Sequence, residues 1–282
     1  MQFKRDAAWW NKEIEYIKRS AFETAKATAL SGGPNVRPSY VTNKLRQLYN
    51  NEEELKDVKD KAEEEAAIDH SGFAFFMAGV DTTESSVESL LLAMALFPSV
   101  QEKAHAELDK IVGSDRLPTF DDQQAMPYLH AIVLETMRWH PVGTVGMPHT
   151  SLKDDTYQGY FIPKGTAVTV NCWGISRNTS YYTNPSVFDP ERFLKPTPEL
   201  DPRRFTFGFG RRICPGNDFA FQSMWILAAS ILWGFEITMT EKDAAALRED
   251  TDKFSLGAVS RPMPFKCQFV PRHERLNDHL GS

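Results

Sequence analysis

The sequence predicts a mainly α fold with a minor β part. Three observations carry that expectation. Apolar residues recur at three- and four-residue steps through most of the first 140 positions, the period of one helix face. Between 142 and 175 the texture changes, and Gly143, Gly146, Gly159, Pro163 and Gly165 punctuate short β-prone runs. An uncharged apolar run from Phe219 to Phe235 then returns the chain to helix. At about 150 residues per domain, 282 residues allow one or two domains. We read a single domain over 1–282: a helical core at 1–140, a small β region at 142–175, a cysteine loop at 207–216 and a helix at 218–235.

Each element follows from local pattern. Trp9, Trp10, Ile14, Tyr16, Ile17 and Phe22 make Phe3–Leu30 an amphipathic helix, which Gly32-Gly33-Pro34 ends. Val41–Tyr49 is a short helix, and the charged run Glu52–Glu65 reads as an exposed one. Ile68–Leu96 is the longest helical candidate. It is apolar on most sides, the mark of a buried helix, and Pro98 ends it. Val100–Val112 stops at Gly113, and Asp121–Trp139 stops ahead of Pro141. Tyr160–Ile162 and Ala167–Val170 read as strands, Ser176–Arg204 as irregular wrapped chain, and Phe254–Val270 as an edge hairpin.

Composition excludes several functions. With 32 Lys+Arg against 38 Asp+Glu, a net charge of −6 and no basic block, the chain lacks the face a nucleic-acid partner needs. Charged residues at 25% and hydrophobic ones at 41% belong to a folded chain rather than a disordered one. Cys172, Cys214 and Cys267 are odd in number and too few for a disulfide framework, which favours a reducing compartment. No run reaches the roughly 20 apolar residues of a membrane span, and Met1–Asp6 opens no secretory signal. The expectation is a soluble or peripheral chain.

Three groups of residues are candidates for chemistry. Phe207-Gly208-Phe209-Gly210-Arg211-Arg212-Ile213-Cys214-Pro215-Gly216 presents a thiol from a tight loop just before a helix, with Pro215 suited to the first helical position. The amides and positive end of that helix favour an ionised sulfur, which serves as nucleophile, redox centre or metal ligand. A lone cysteine beside a glycine turn is more often structural. Ala78-Gly79-Val80-Asp81-Thr82-Thr83 sets a carboxylate and a hydroxyl inside the apolar helix. Gly79 there costs about 1 kcal/mol relative to Ala, as if something passed close by. Equally, Asp81-x-x-Glu84 fits a capping box at a new helix start. Glu135-x-x-Arg138 reads as an ordinary i,i+3 surface pair, unless it has a further partner.

The ten-residue loop resembles the haem-binding loop of cytochrome P450 enzymes and matches Phe-Gly-x-Gly-x-Arg-x-Cys-x-Gly at every fixed position. The resemblance implies a P450 fold, N-terminally truncated, since the motifs belong to the C-terminal part of the family's usual length. It implies Cys214 as the axial thiolate ligand of a haem b iron. Phe207 would pack near the sulfur, Gly208 and Gly216 would belong to the same cofactor-binding loop, Arg212 and His149 would meet haem propionates, and Ala78 and Gly79 would border the distal face. Asp81 and Thr82 would relay protons to bound dioxygen. Phe188-Asp189-Pro190-Glu191-Arg192-Phe193 resembles the family's Pro-Glu-Arg-Phe segment, so that Glu135, Arg138 and Arg192 form a structural ionic cluster. Val142 and Val145, with Leu256 in the segment 256–258, would line the substrate cavity; Phe73 and Phe76 would face it too, or serve as plain core.

The function implied is a monooxygenase that inserts one oxygen atom of O2 into a small apolar organic substrate. Electrons would come from NADPH through cytochrome P450 reductase, docked near Arg211. The overall style is similar to eukaryotic microsomal members of fungal type, which implies the cytosolic face of the endoplasmic reticulum membrane for a full-length protein carrying an anchor. The family's Trp-x-x-x-Arg helix is expected upstream of Ala78; the same spacing at Trp173 and Arg177 reads as coincidence. The alternative is a non-catalytic P450 fragment that holds no productive haem. A zinc or thiol-redox protein is the weakest reading, because Cys-x-x-Cys and His-Glu-x-x-His are both missing.

Overall fold

A computed structural model describes residues 2–31, 37–50, 61–249, 254–274 and 276. The chain divides into two compact units, Met1–Val80 and Asp81–Ser282. The glycine-proline stop at 32–34 and the charged run at 52–60 lie outside the described residues.

The first unit holds α1 (Gln2–Ser31), α2 (Tyr40–Asn50) and the start of α3 (Lys61–Leu96). Its small core joins Phe22 and Ala29 of α1, Leu45 and Leu48 of α2, and Ile68 of α3. Ser39 and Thr42 exchange hydrogen bonds at the α2 start, the Ser39 amide to Thr42 Oγ1 at 2.8 Å and the Thr42 amide to Ser39 Oγ at 3.1 Å. Gly72 is required by packing: a Cβ there would lie 2.5 Å from Val41 Cγ2. The amphipathic stripe of α1 is less buried than its period implies, since Trp9, Trp10, Ile14, Tyr16 and Ile17 are exposed. The buried-helix expectation for 68–96 needs the same correction. Phe75, Phe76, Met77 and Val80 are exposed, and from Ser89 to Leu96 every residue is buried except the half-buried Leu91. Nor does a new helix start at Asp81, because α3 runs unbroken to Leu96.

In the second unit, the end of α3 packs with α4 (Pro98–Ile111), α5 (Pro127–Trp139) and α8 (Asn217–Gly234). Leu90–Leu96, Val100, Ala104, Leu108, Leu129, Ile132, Val133, Met224, Trp225, Leu232 and Trp233 form this core. The single helix expected over 121–139 is two pieces: a 3-10 turn at Phe120–Ala125, then α5. Pro127 explains the break, since it has no N–H to continue a helix and disfavours helical backbone at Met126. The carboxylate of Glu107 caps α5, accepting the Tyr128 and Leu129 amides at 2.9 Å each.

Among the described residues the β part is three two-stranded antiparallel sheets. β1 (His149–Thr150) pairs with β4 (Ala167–Val168), and β2 (Asp155–Tyr157) with β3 (Tyr160–Ile162). The expected edge hairpin at 254–270 is two things. Phe254 and Pro262 form an isolated bridge, whereas β6 (Gln268–Pro271) pairs with β5 (Phe235–Thr238) after α8. Pro262 and Pro264 remove the donors a continuous ladder would need. Among the described residues there are also short helices α6 (Cys172–Ser176) and α7 (Arg203–Thr206), 3-10 turns at Pro190–Phe193 and Gly210–Arg212, and the further helix α9 (Glu241–Glu249).

Candidate functional site

The cysteine loop follows α7 directly. Gly208 and Gly210 take φ of +79° and +61°, left-handed conformations that other residues adopt at a cost, and these let the chain double back. The Cys214 amide donates to the Phe207 carbonyl at 2.8 Å and closes the loop, while Phe207 packs on the main core. Pro215 is not the first helical residue: it lies in the turn, and α8 starts at Asn217 with Gly216 as its cap. A Cβ on Gly216 would stand 3.8 Å from Cys214 Sγ, an ordinary van der Waals contact. Cys214 is half-buried and Arg212 exposed. The other thiols are of another kind: burial pushes both Cys172 and Cys267 up, and Cys172 Sγ donates to the Phe205 carbonyl at 3.4 Å.

A second group gathers Asp81, Val142 and the segment carrying Leu256. Asp81 forms an ion pair with Arg261. One residue earlier, the Ser260 amide donates to the Val142 carbonyl at 2.8 Å. The loop 142–147 is tied on its other side, where Gly146 N–H meets the Val170 carbonyl at 2.8 Å and Trp173 N–H the Thr144 carbonyl at 3.0 Å. Val145 and Leu256 are exposed. His149 stands apart on β1, exposed and in register with Val168. The Thr82 carbonyl accepts the Ser86 hydroxyl at 2.9 Å, and the Asp81 carbonyl accepts that of Ser85 at 2.7 Å.

Phe73, Phe76, Ala78 and Gly79 belong to the first unit. Phe73 is half-buried, and Phe76 and Ala78 are exposed. The close approach expected over Gly79 comes from no protein atom, for nothing lies within 4 Å of the position a Cβ would occupy.

Glu135, Arg138 and Arg192 meet in the interior with side chains at 0%, 0% and 1% exposure, so the surface-pair alternative does not describe them. Arg138 donates from Nε and Nη2 to the two Glu135 oxygens at 2.8 Å each. Arg192 Nε and the Asp189 amide reach Glu135 Oε1 at 3.2 and 2.8 Å. Burial pushes the Glu135 carboxyl up, opposed by both guanidiniums and that amide. The same arginines gather carbonyls of the irregular chain: Ser176, Pro185 and Val187 on Arg138, Thr183 and Val187 on Arg192.

Sequence reasoning missed Arg177, His140, Ser260 and Arg261. Arg177 stacks 4.2 Å over the Trp173 ring and donates to the Trp139 and Pro185 carbonyls at 2.6 Å each. The Trp173–Arg177 spacing, read as coincidence with respect to the family's upstream helix, is thus a local structural tie. For the other three, only their nearness to Pro141 and to the segment 256–258 offered a signal.

A mainly α scaffold that presents one half-buried thiol from a glycine-shaped loop, directly ahead of an apolar helix, has the architecture of the haem-thiolate proteins. The family model for cytochrome P450 matches residues 9–269, and the chain belongs to the cytochrome P450 family. Among its relatives, cytochrome P450 monooxygenase 98 of Postia placenta is 38% identical over 96% of this chain and 52% of its own length. Cytochrome P450 monooxygenase claR of Ampulloclitocybe clavipes is 43% identical over 71% of this chain and 38% of its own. A zebrafish cytochrome P450 solved with progesterone superposes with a TM-score of 0.75 at 26% identity, covering 91% of this chain and 58% of that one. The chain spans about half the length of curated relatives such as the Postia protein, at 52%.

Proposed function

We propose that this chain supplies the cysteine-ligand portion of a haem b monooxygenase that inserts one oxygen atom of O2 into a small apolar organic substrate. Electrons come from NADPH through cytochrome P450 reductase. The observation that carries the reading is the half-buried Cys214 thiol on a glycine-shaped loop closed by the Phe207 carbonyl. The residues fit the group. A half-buried thiol on a fixed loop suits an iron ligand, and Arg212 and His149 are exposed side chains able to donate hydrogen bonds to propionates. When bound, the haem supplies dioxygen activation, which a thiolate ligand favours.

The rest is done by side chains. The loop's two left-handed glycines and its closing hydrogen bond hold the sulfur in one place before any ligand arrives. Asp81 and Thr82 relay the protons that dioxygen chemistry consumes, and the ion pair with Arg261 orients the Asp81 side chain. Val142, Val145 and Leu256 offer apolar surface to the substrate in the second unit, and Phe73 and Phe76 are apolar side chains of the first. Glu135, Arg138 and Arg192 fasten the wrapped chain ahead of the cysteine loop. No helix among the described residues is long and apolar enough to cross a membrane; by family, the longer protein works on the cytosolic face of the endoplasmic reticulum.

The test is the spectrum of haem-loaded protein, reduced under carbon monoxide. The long-wavelength band of thiolate ligation is expected, and Cys214→Ser should abolish it. Haem held with an unchanged spectrum in Cys214→Ser would remove the assignment. The exposure of Phe75, Phe76 and Met77 favours one second reading, a P450 portion that holds no haem by itself, for which no uptake is the expected result.

A further inference from the structure

Ser260 is 2% exposed and joins three segments of the second unit. Its amide donates to the Val142 carbonyl at 2.8 Å, and its hydroxyl donates to the Ser255 carbonyl at 2.7 Å. A hydroxyl has one proton, so towards His140 Nε2, 2.8 Å away, Ser260 Oγ can only accept. That fixes the ring: the proton sits on Nε2, and Nδ1 carries a buried lone pair with no partner among the described residues. His140 follows α5 directly as its cap, its amide bonded to the Thr136 carbonyl at 3.1 Å. Its ring stacks on Phe254 with 3.4 Å between centroids and 7° between planes, and meets Trp173 edge-on at 5.7 Å. Burial, with the Arg177 guanidinium nearby, pushes His140 down to about 3, so the ring stays a neutral donor.

Packing alone does not account for this residue. A phenylalanine would stack equally well on Phe254 without leaving a ring nitrogen orphaned in the interior, which is a cost. What histidine adds is the bond to Ser260, and Ser260 sits at the base of the segment 254–262. The Ser255 amide closes that base on the Arg261 carbonyl at 2.8 Å, whereas Leu256 at the tip is fully exposed. The tip's place is therefore set from below. On one side is the His140–Ser260–Val142 junction, and on the other the Arg261–Asp81 pair.

We propose that His140 and Ser260 are positioning residues that hold the tip 256–258 against the loop 142–147 and so decide which ligands the cavity edge admits. The proposal rests on the reading that both segments line the substrate cavity. Its test uses haem-loaded protein and two nitrogen ligands of iron, imidazole and 4-phenylimidazole, whose dissociation constants are read from the absorbance shift. Losing one buried hydrogen bond should change the ratio of the two constants by about fivefold in Ser260→Ala and in His140→Phe. The double variant should go no further than either single one, and Ser260→Thr, which keeps the hydroxyl, should hold the parental ratio. Independently of haem, hydrogen exchange of the Ser255 and Arg261 amides should quicken in Ser260→Ala. Parental ratios and exchange in both single variants, with Leu256→Ala shifting the ratio, would overturn the positioning role. A parental ratio in Leu256→Ala would instead bring down the cavity reading and the proposal with it.

Discussion

Glu135 takes hydrogen bonds from Arg138, Arg192 and the Asp189 amide while wholly shielded from water. A carboxylate in that setting is stable only because every donor is present. Arg192→Ala or Glu135→Ala should therefore cost about 3–5 kcal/mol, because the charge left behind stays buried. Urea unfolding followed by tryptophan fluorescence would measure it, and a loss under about 1 kcal/mol, the surface-pair range, would refute the buried-cluster account. Arg138→Lys should fare little better than alanine, since one ammonium cannot serve two carboxylate oxygens and three carbonyls together. At this scale the sequence was legible where residues sat in fixed short motifs, as in 207–216 and 188–193. His140–Ser260 and Asp81–Arg261 were not, because those partners lie 120 and 180 positions apart and no local period connects them.

Helix existence could be read from the 3.6-residue period in α1, α2 and α4, since side-chain spacing survives any tertiary arrangement, and in α8 from its uncharged apolar run. Burial could not, as α3 demonstrates. Its run of Phe73, Phe75, Phe76, Met77 and Val80 is as apolar as Leu90–Leu96, yet most of it is exposed, because burial depends on what packs alongside. α9 and the β5–β6 pairing escaped notice for the same reason, being short elements fixed by long-range contact. The two glycines of α3 offer a test at this scale. At Gly72 a Cβ would meet Val41 Cγ2 at 2.5 Å, and a β-branched side chain has little freedom to turn away. Gly72→Ala should destabilise the α2–α3 packing by about 1–3 kcal/mol. At Gly79 there is open space, so alanine should be neutral or add up to about 1 kcal/mol of helix propensity. Thermal melts without haem should put Gly72→Ala below the parent and Gly79→Ala level with it or above; the reverse order would show that α3 packs otherwise.

Across the whole molecule, acid should be the condition that finds the weak points. Burial pushes His140 down to about 3 and His105 down to about 4, Arg177 adding to the first and Arg272 to the second. In the unfolded chain both titrate near 6.5. Between those values the unfolded state binds a proton that the folded state refuses, so stability is whole above about pH 6.5 and declines as the pH falls. At pH 5 each histidine accounts for on the order of 2 kcal/mol. Asp122, held low by the bidentate Arg116 pair, acts in the same direction only below the ordinary carboxylate range. Glu135, which burial pushes up, acts in the opposite sense. The difference between variants therefore isolates the histidines better than the raw slope. Urea unfolding of the parent and of His140→Phe at pH 7 and pH 5 should show His140→Phe losing about 2 kcal/mol less over that interval. Equal losses would mean that His140 takes up its proton in the folded state, which its stacking on Phe254 and its single bond to Ser260 leave no room for.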